Sequence, residues 1–218
     1  MAERVRRIDD SRALLHAHLE ASSAIFLVAG RESPVSMVVS GKRITCPGRP
    51  VKPFELQESA WLNSFHLALA LRRRDILDIL ASFRIEWFQR RAFPQPTLEH
   101  VAFARAFLLG DHDWTDAAAR AQAVYEEASR KELAALRLGA NGHALKALTA
   151  VLLGDQARFD AELIEVLEAN KRHRIREDPT NPLNRLCQPA LGLAAVGLDR
   201  GWTIRVASEY MPRALYTS

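Results

Sequence analysis

Cysteine is scarce in this chain, with only Cys46 and Cys187 among 218 residues. Two thiols so far apart are typical of reduced cysteines, and they exclude the dense disulfide framework of a small secreted domain. Long hydrophobic runs are also missing. The uncharged stretch at residues 186–198 contains Pro189 and two glycines and falls short of the ~20 apolar residues of a membrane helix. Because no apolar segment follows the start as in a secretory signal, we expect a cytoplasmic protein without a membrane helix.

The familiar catalytic and metal-binding patterns are absent as well. The sequence has no His-Glu-x-x-His, no Cys-x-x-Cys, no Gly-x-Ser-x-Gly and no glycine-rich phosphate loop ending in Lys-Ser or Lys-Thr. His16 and His18 are two residues apart, which puts them on different faces of a helix, so they cannot bind one metal ion together. His66 lies in an apolar segment and is expected to be a buried histidine with a hydrogen bond. We therefore expect no enzyme activity, no cofactor and no metal site.

Charge of one sign is not in large excess. Lys and Arg number 30 against 26 Asp and Glu, which gives a formal net charge of +4, and 48% of the residues are hydrophobic. That balance is ordinary for a globular protein, and the length fits a single domain over residues 1–218. The basic runs at residues 72–74 and 171–176 fall at predicted helix C-termini, where cations are favoured, and they lack interleaved aromatics. Binding to nucleic acid is therefore not expected.

Most of the chain has the apolar spacing of amphipathic helices, beginning with helices at about residues 10–29 and 58–71. Between these two, apolar residues at 37–39 and 44–46 flank a Ser-Gly-Lys-Arg turn, which predicts a short β-hairpin near residues 37–46. We expect a mainly α fold in which antiparallel helical hairpins stack as a compact, solenoid-like bundle.

Capping residues locate the starts of the later helices: Asp75, Thr97, Asp113 or Thr115, and Asp155. The stretch at residues 131–153 is expected to form two short helices or one kinked helix, because Gly139 and Gly142 interrupt it. A last helix is predicted over residues 183–198, and alternation over residues 203–206 indicates one short strand.

A weak repetition runs through the helical part. Leu-Leu-Gly-Asp occurs at residues 108–111 and again at 152–155, and Leu-Asp-Arg-Gly at 198–201 is a looser third copy. In each copy a glycine or a turn ends one helix and an aspartate starts the next. The pattern fits stacked helical hairpins, and it is equally well explained as a common joint between helices.

Two stretches of the chain carry a family resemblance. One is the segment Trp-Leu-Asn-Ser-Phe-His-Leu-Ala-Leu-Ala at residues 61–70, which follows the predicted hairpin. The other runs from Gly-Asp at residues 154–155, through a small-residue helix at 190–198, to Ser-Glu-Tyr-Met-Pro-Arg-Ala-Leu at 208–215. Together they resemble the bacterial immunity protein 49 family. The matched residues are expected to be structural: Trp61, Phe65, Asp155, Phe159, Tyr210 and Pro212.

The resemblance implies an immunity protein of a polymorphic toxin system. Such a protein binds and neutralises a cognate antibacterial toxin by stoichiometric protein–protein inhibition, and a nuclease is our hypothesis for the toxin. We expect the toxin to contact Asp111, Asp113 and Trp114 at one helix joint, with Glu126 and Glu127 on the following helix, because a tryptophan beside acids can anchor a partner. Whether the protein also forms a homo-oligomer stays open.

Two other functions remain compatible with the sequence. A helical-repeat adaptor or scaffold would bind a peptide or protein unrelated to toxins in a concave groove. A small helical enzyme would hold His66 or His143 against carboxylates in a deep polar pocket, with site residues that converge only in the folded chain.

Overall fold

A computed structural model describes residues 2–49, 56–88, 95–130, 132–177 and 186–217. In these ranges the chain forms eight α-helices and one two-stranded antiparallel sheet, which confirms a mainly helical fold with a short hairpin. The elements in chain order are α1 Ala2–Val28, β1 Val35–Val39, β2 Lys42–Cys46, α2 Glu58–Ala70, α3 Arg74–Ser82, a 3₁₀ turn Ile85–Trp87, α4 Pro96–Leu109, α5 Trp114–Ser129, α6 Glu132–Leu153, α7 Gln156–Glu177, α8 Gln188–Asp199 and a 3₁₀ turn Arg213–Leu215.

Short connections arrange the consecutive helices as antiparallel pairs. Helix α4 packs on α5, α5 on α6, and α6 on α7, and the turn between α6 and α7 consists of Gly154 and Asp155. Helix α8 then returns to pack along α2 and against α6. Because this return brings the last helix back to an early one, the stacked hairpins form a bundle.

Helices α2 and α8 lie side by side and run in the same direction. His66 lies against Gly192, and Arg72, just beyond α2, pairs with Asp199 at the end of α8. A Cβ built on Gly192 would collide with the backbone carbonyl of His66, so this glycine lets the two backbones touch. Both helices are buried around most of their circumference, as their continuous apolar sequences predict.

The core is built around α2. Trp61 and Phe65 are fully buried, and their rings stack with centroids 5.5 Å apart. Phe107 of α4 meets Phe65 edge-on at 6.3 Å. Helices α6, α7 and α8 supply further fully buried side chains: Leu145, Leu148, Phe159, Leu163, Leu191 and Leu193. Burial of each such side chain contributes about 1.5–3 kcal/mol to the stability of the fold.

The β-hairpin closes through a two-residue turn. Ser40 and Gly41 both have positive φ values, 52° and 74°, which is the type I′ geometry that suits the twist of paired strands. Pairing starts with Val39 and Lys42 on either side of this turn. Helix α1 holds the turn, because the amide of Ser40 donates to Glu20 Oε2 at 2.9 Å.

Three helices end in the same way, at a glycine with a left-handed backbone. Gly110 after α4, Gly154 after α6 and Gly201 after α8 have φ values of 62°, 73° and 79°. The next amide then donates to the carbonyl five residues earlier, as in a Schellman motif. The two Leu-Leu-Gly-Asp copies therefore end their helices alike, but only Asp155 starts the next helix, since Asp111 lies three residues before α5 and accepts the Asp113 amide. In the looser third copy Asp199 is still the last residue of α8 and makes an ion pair there.

Helix α6 is continuous where the sequence predicts an interruption. It runs from Glu132 to Leu153 through Gly139 and Gly142. A glycine in a helix costs about 1 kcal/mol relative to alanine. That cost is outweighed by packing, since α5 and α7 lie along α6 and the Tyr125 ring sits 3.3 Å from where a Cβ of Gly142 would be. Of the two predicted alternatives, that of two short helices is therefore wrong, and one helix with a kink stays a prediction.

The strand predicted at residues 203–206 is also wrong. The segment is extended, but it pairs with no strand in the described ranges. Its alternating pattern has another cause: Ile204 packs on the core beside Gly197 at the end of α8, while Thr203 and Arg205 face solvent. The alternation of apolar and polar residues arises here because this segment packs one side against the C-terminal end of α8 and exposes the other side to solvent.

Two predicted helix caps are misplaced by two residues, because the N-cap positions are held by Arg73 and Gln95. Asp75 and Thr97 lie inside the first turns of α3 and α4, and α4 begins with a proline, whose fixed φ suits a first helical position. Asp113 precedes α5, but its side chain makes no capping hydrogen bond. The prediction for Asp155 is confirmed, because its Oδ1 accepts the amide of Arg158 at 3.0 Å.

Several helices differ in extent from their prediction. Helix α1 begins at Ala2, well before residue 10. Helix α7 continues to Glu177, so the basic run that starts at Lys171 lies within its last turns. Helix α8 begins at Gln188, and residues 183–185 of the predicted last helix lie outside the described residues.

Candidate functional site

The joint between α4 and α5 carries three of the five residues predicted to contact a partner. After the turn at Gly110, Asp111 and Asp113 are exposed, and the Asp113 amide donates to Asp111 Oδ1 at 3.1 Å. Trp114, the first residue of α5, is half-buried and packs against the core. Leu109, on the other side of the turn, is 54% exposed. The joint therefore offers two carboxylates between two partly accessible apolar side chains.

Glu126 and Glu127 do not belong to the same surface. A helix rises 1.5 Å per residue, so these residues lie about 18–20 Å from Trp114, at the other end of α5. Glu127 pairs there with Arg130 at 2.8 Å, and both side chains are exposed. The structure thus divides the predicted contact residues into two groups. The predicted helix that follows Trp114 already implies this distance between the two groups, because each residue adds 1.5 Å along a helix.

A groove of about 670 Å³ adjoins the joint and lies between α3 and α4. We call it the α3–α4 groove. Its floor is apolar: Leu69, Leu77, Ala81, Phe107 and Leu108. Its rim is charged: Arg72, Arg74, Asp78 and Asp199. Since Leu108 comes three residues before Asp111, groove and joint adjoin each other.

Arg72 fixes one wall of the α3–α4 groove. Its φ of 51° is left-handed, because the turn after α2 closes like the glycine joints, with the next amide donating to Ala68 O at 2.9 Å. Its Nη2 pairs with Asp199 at 2.9 Å, and its Nη1 donates to the carbonyl of Tyr216 at 2.9 Å. The basic run at residues 72–74 is therefore not simply a solvated helix end, since Arg72 joins α2 to α8 and to the C-terminal segment.

Arg73 makes its contacts on the other side of α3. Its guanidinium binds Glu20 of α1 at 2.8 Å and Asp75 at 2.8 Å. The hydrogen bond from Arg73 holds the pKa of Asp75 below its ordinary value, so this carboxylate is charged at neutral pH. Because Glu20 also accepts the Ser40 amide, one network joins α1, the hairpin turn and the start of α3.

A second groove, of about 380 Å³, lies between α1, α3 and the β-hairpin. We call it the hairpin groove. Its apolar lining includes Leu27, Val38, Ile76 and Ile79. Its charged lining consists of Glu20, Arg43, Arg73 and Asp75. Helix α3 is therefore flanked by a groove on each side.

The interior holds two histidines, where the sequence singled out one. His66 and His100 are fully buried, with ring centroids 6.2 Å apart. The hydrogen bond predicted for His66 is not found, since no group among the described residues bonds to either of its ring nitrogens. His100 has a 3.4 Å contact with the hydroxyl of Tyr125. Burial lowers the pKa of both histidines to about 3, so both are neutral at pH 7.

The two histidines named for the enzyme alternative have different surroundings. His66 has no solvent-exposed surface and contacts no carboxylate among the described residues, whereas the partly buried His143 of α6 lies 2.7 Å from a carboxylate oxygen of Glu162 of α7. In the described ranges, no group of three His, Cys, Asp or Glu side chains is placed to hold a metal ion. Cys46 and Cys187 are not joined in a disulfide. None of the helices seen in these ranges is both long and apolar enough to pass through a bilayer.

The residues that carry the family resemblance are built into the fold. Three of them are fully buried: Trp61, Phe65 and Phe159. Asp155 caps α7, and the half-buried Tyr210 accepts the amide of Cys187 through its backbone carbonyl at 2.8 Å, just ahead of α8. Pro212 precedes the last 3₁₀ turn. A structural role for all six residues stays a prediction.

Sequence reasoning missed the residues of the α3–α4 groove. Arg74 and Asp78 are exposed on α3, whereas Ile76 and Leu80 are buried. The amphipathic pattern of this helix could therefore have identified both charged residues as part of its solvent-facing surface. No local sequence pattern indicates that Asp199 contacts Arg72, because the two residues are 127 positions apart.

The chain matches a known protein family over nearly all of its length. No curated protein and no solved structure matches it. The sequence model of the family described as Immunity protein 49 does match, over residues 4–215. The matched region includes α2, the hairpin before it and the terminal segment that carried the resemblance. The chain therefore belongs to the Immunity protein 49 family.

Proposed function

We propose that this protein binds and neutralises a cognate antibacterial toxin by stoichiometric protein–protein inhibition. The observation that carries the proposal is the family match over residues 4–215. The two grooves beside α3 support a binding role, because each combines an apolar lining with charged side chains, as protein interfaces do.

We assign the α3–α4 groove and the adjoining joint as the toxin-binding surface. Beyond the Arg72–Asp199 pair, three carboxylates lie there: Asp78, Asp111 and Asp113. Arg74 is the further cation on the groove rim. This surface suits a basic partner such as a nuclease, whose own ligand is a polyanion.

Glu126 and Glu127 lie outside a standard footprint centred on the joint. An interface of standard size buries about 800 Å² on each partner, which corresponds to a patch roughly 30 Å across. Such a patch extends about 15 Å from its centre, so a toxin centred on the joint stops short of the far end of α5, about 18–20 Å away. We keep both glutamates in the proposed surface as charges that attract the toxin, because charges near an interface contribute more to the rate of association than to affinity.

The proposal predicts that a toxin gene lies next to this one, and co-expression with the product of that gene tests the proposed function. The toxin alone should stop growth, this chain should restore it, and the purified pair should form a one-to-one complex. Survival without a complex, or a complex without survival, would contradict inhibition by binding.

A charge-reversal pair tests the assigned surface. Asp111→Lys combined with Asp113→Lys should slow association about tenfold at low salt, because both carboxylates are exposed at the joint. Glu126→Lys combined with Glu127→Lys is the matched control at the other end of α5 and should have a smaller effect. Equal effects of the two pairs would contradict a footprint centred on the joint.

A further inference from the structure

The second strand of the hairpin carries backbone groups that point away from the first. Strand residues in a hairpin closed by a two-residue turn alternate between bonding to the partner strand and facing outward. Pairing starts at Lys42, so the amides and carbonyls of Arg43 and Thr45 face outward. The side-chain hydroxyls of Thr45 and Ser36 lie 3.3 Å apart, as expected for a closer, non-hydrogen-bonded pair.

This outer edge of β2 is open to solvent. Residues 42–45 are exposed, and Cys46 is half-buried. Among the described residues, no group outside the hairpin hydrogen-bonds to the backbone of Arg43 or Thr45. Strand β1 packs instead on α1. An exposed strand edge is a template for backbone pairing with another chain.

The charges near this edge determine which strand can pair with it. Residues 31–49 carry one acidic side chain, Glu32, and four basic ones: Arg31, Lys42, Arg43 and Arg49. Two of the basic residues, Lys42 and Arg43, lie on the edge strand itself and are exposed. Edge-to-edge pairing of two copies would bring these cations together, and like charges on adjacent strands are destabilising. An acidic strand gains the opposite interaction.

Apolar side chains extend the surface on both faces of the hairpin. Ile44 is 40% exposed on one face, and Val38 is 51% exposed on the other, beside Arg43. Val38 and Arg43 also line the hairpin groove. A strand added to β2 would therefore place alternate side chains beside Ile44 and beside Arg43.

We infer that the outer edge of β2 binds an extended, acidic strand of the toxin by backbone pairing. The inference rests on the proposed function and specifies one part of the partner. The hairpin groove and the α3–α4 groove both border α3, so a toxin that lies across α3 reaches both sides. The toxin strand matches the five residues of β2, with an acidic side chain beside Lys42 and an apolar one beside Ile44 on one face, and an acidic side chain beside Arg43 on the other.

A proline at position 45 tests the backbone pairing. Thr45→Pro removes an outward-facing amide and no hydrogen bond of the hairpin ladder, whereas Thr45→Val keeps the amide and removes the same hydroxyl. Affinity for the toxin encoded beside this gene is measured by calorimetry. We expect Thr45→Pro to weaken binding about tenfold or more and Thr45→Val less than about twofold. Arg43→Glu should also weaken binding, by a factor that shrinks as salt is raised.

Hydrogen exchange of the wild-type complex gives a second measurement, which holds even if Thr45→Pro unfolds the hairpin. The amides of Arg43 and Thr45 should exchange rapidly in the free protein and slowly in the complex. The amide of Ile44 faces β1 and should be protected in both.

Each result bears on the inference in a distinct way. Wild-type affinity for Thr45→Pro, or unchanged exchange at Arg43 and Thr45, would overturn the inference and leave toxin neutralisation intact. A wild-type chain that forms no complex would overturn the proposed function and the inference with it. A concentration-dependent dimer that Thr45→Pro abolishes would show that the edge binds a second copy, which also overturns the inference.

Discussion

The buried histidines His66 and His100 predict how the stability of this protein depends on pH. Burial lowers the pKa of both to about 3, and His66 also opposes protonation of His100. In an unfolded chain a histidine has a pKa near 6.5. Tyr125, which contacts His100, stays protonated because burial raises its pKa. Among the described residues, no carboxylate contributes to either shift.

The sign and size of the effect follow from these values. Below pH 6.5 the unfolded chain binds protons that the folded chain excludes, so the free energy of unfolding falls as the pH is lowered. From pH 7 to pH 5 the loss is about 2 kcal/mol for each histidine, or about 4 kcal/mol for the pair, out of the ~5–15 kcal/mol typical of a domain. The pKa of Asp75 lies below its ordinary value, so this carboxylate stays charged throughout the window. His16, whose pKa is lowered mainly by partial burial, adds a smaller loss of the same sign.

The substitution His66→Leu isolates one half of this effect. Neither ring nitrogen of His66 has a hydrogen-bond partner among the described residues, so leucine removes unsatisfied polar groups and no hydrogen bond. We expect the variant to be at least as stable as wild type at pH 7 and to lose about 2 kcal/mol instead of about 4 kcal/mol on going to pH 5. His112 is exposed, so His112→Gln is the control and should change neither value.

Urea unfolding at pH 7, 6 and 5 and constant ionic strength measures these free energies. Equal m values at the three pH values verify that the same transition is compared. A wild-type loss below about 1 kcal/mol, or an equal loss in His66→Leu and wild type, would refute the reasoning. Either result would mean that the interior accepts protons at these histidines as readily as water does.

Two further predictions concern the contact between α2 and α8. Gly192→Ala should destabilise the protein by about 3 kcal/mol in thermal or urea unfolding, because the new Cβ meets the backbone of His66. Gly142→Ala, whose Cβ meets a tyrosine ring at 3.3 Å, should cost less than about 1 kcal/mol, and equal costs would contradict the close approach of the helices. Arg72→Ala should cost about 1–2 kcal/mol through loss of its two contacts, whereas Arg74→Ala, on an exposed side chain, should cost almost nothing. Similar values for the two arginine variants would show that Arg72 does not join these elements.

The sequence predicts best the elements whose local signals agree with their surroundings. Helix α2 is apolar on almost every side, and it is buried on almost every side. The hairpin needed only a glycine at the second turn position between two apolar runs, and Gly41 occupies that position with a positive φ. Asp155 is confirmed as a cap because capping depends on a few neighbouring residues.

Contacts between distant parts of the chain could not be predicted in this way. Gly192 is required because a Cβ there would collide with the carbonyl of His66 on α2, and no sequence pattern near Gly192 identifies His66 as its neighbour. The guanidinium of Arg72 is another such case, because the side chain that binds it lies 127 positions away. For α6 the sequence left two alternatives open, two short helices or one kinked helix, and the first is wrong because packing against α5 and α7 keeps the helix continuous through its glycines.

The position of α3 links the fold to the two proposed contacts with a toxin. This helix has nine residues and would be unstable alone. Ile76 and Leu80 anchor it in the core, and Arg73 connects its start to α1. The turn that leads into it is fixed by Arg72 through α8 and the C-terminal segment. Because distant elements hold this short helix, both grooves are ordered before a partner arrives, and a partner loses less free energy in ordering them. If the proposed contacts are correct, substitutions that touch no toxin should still change its affinity by moving α3.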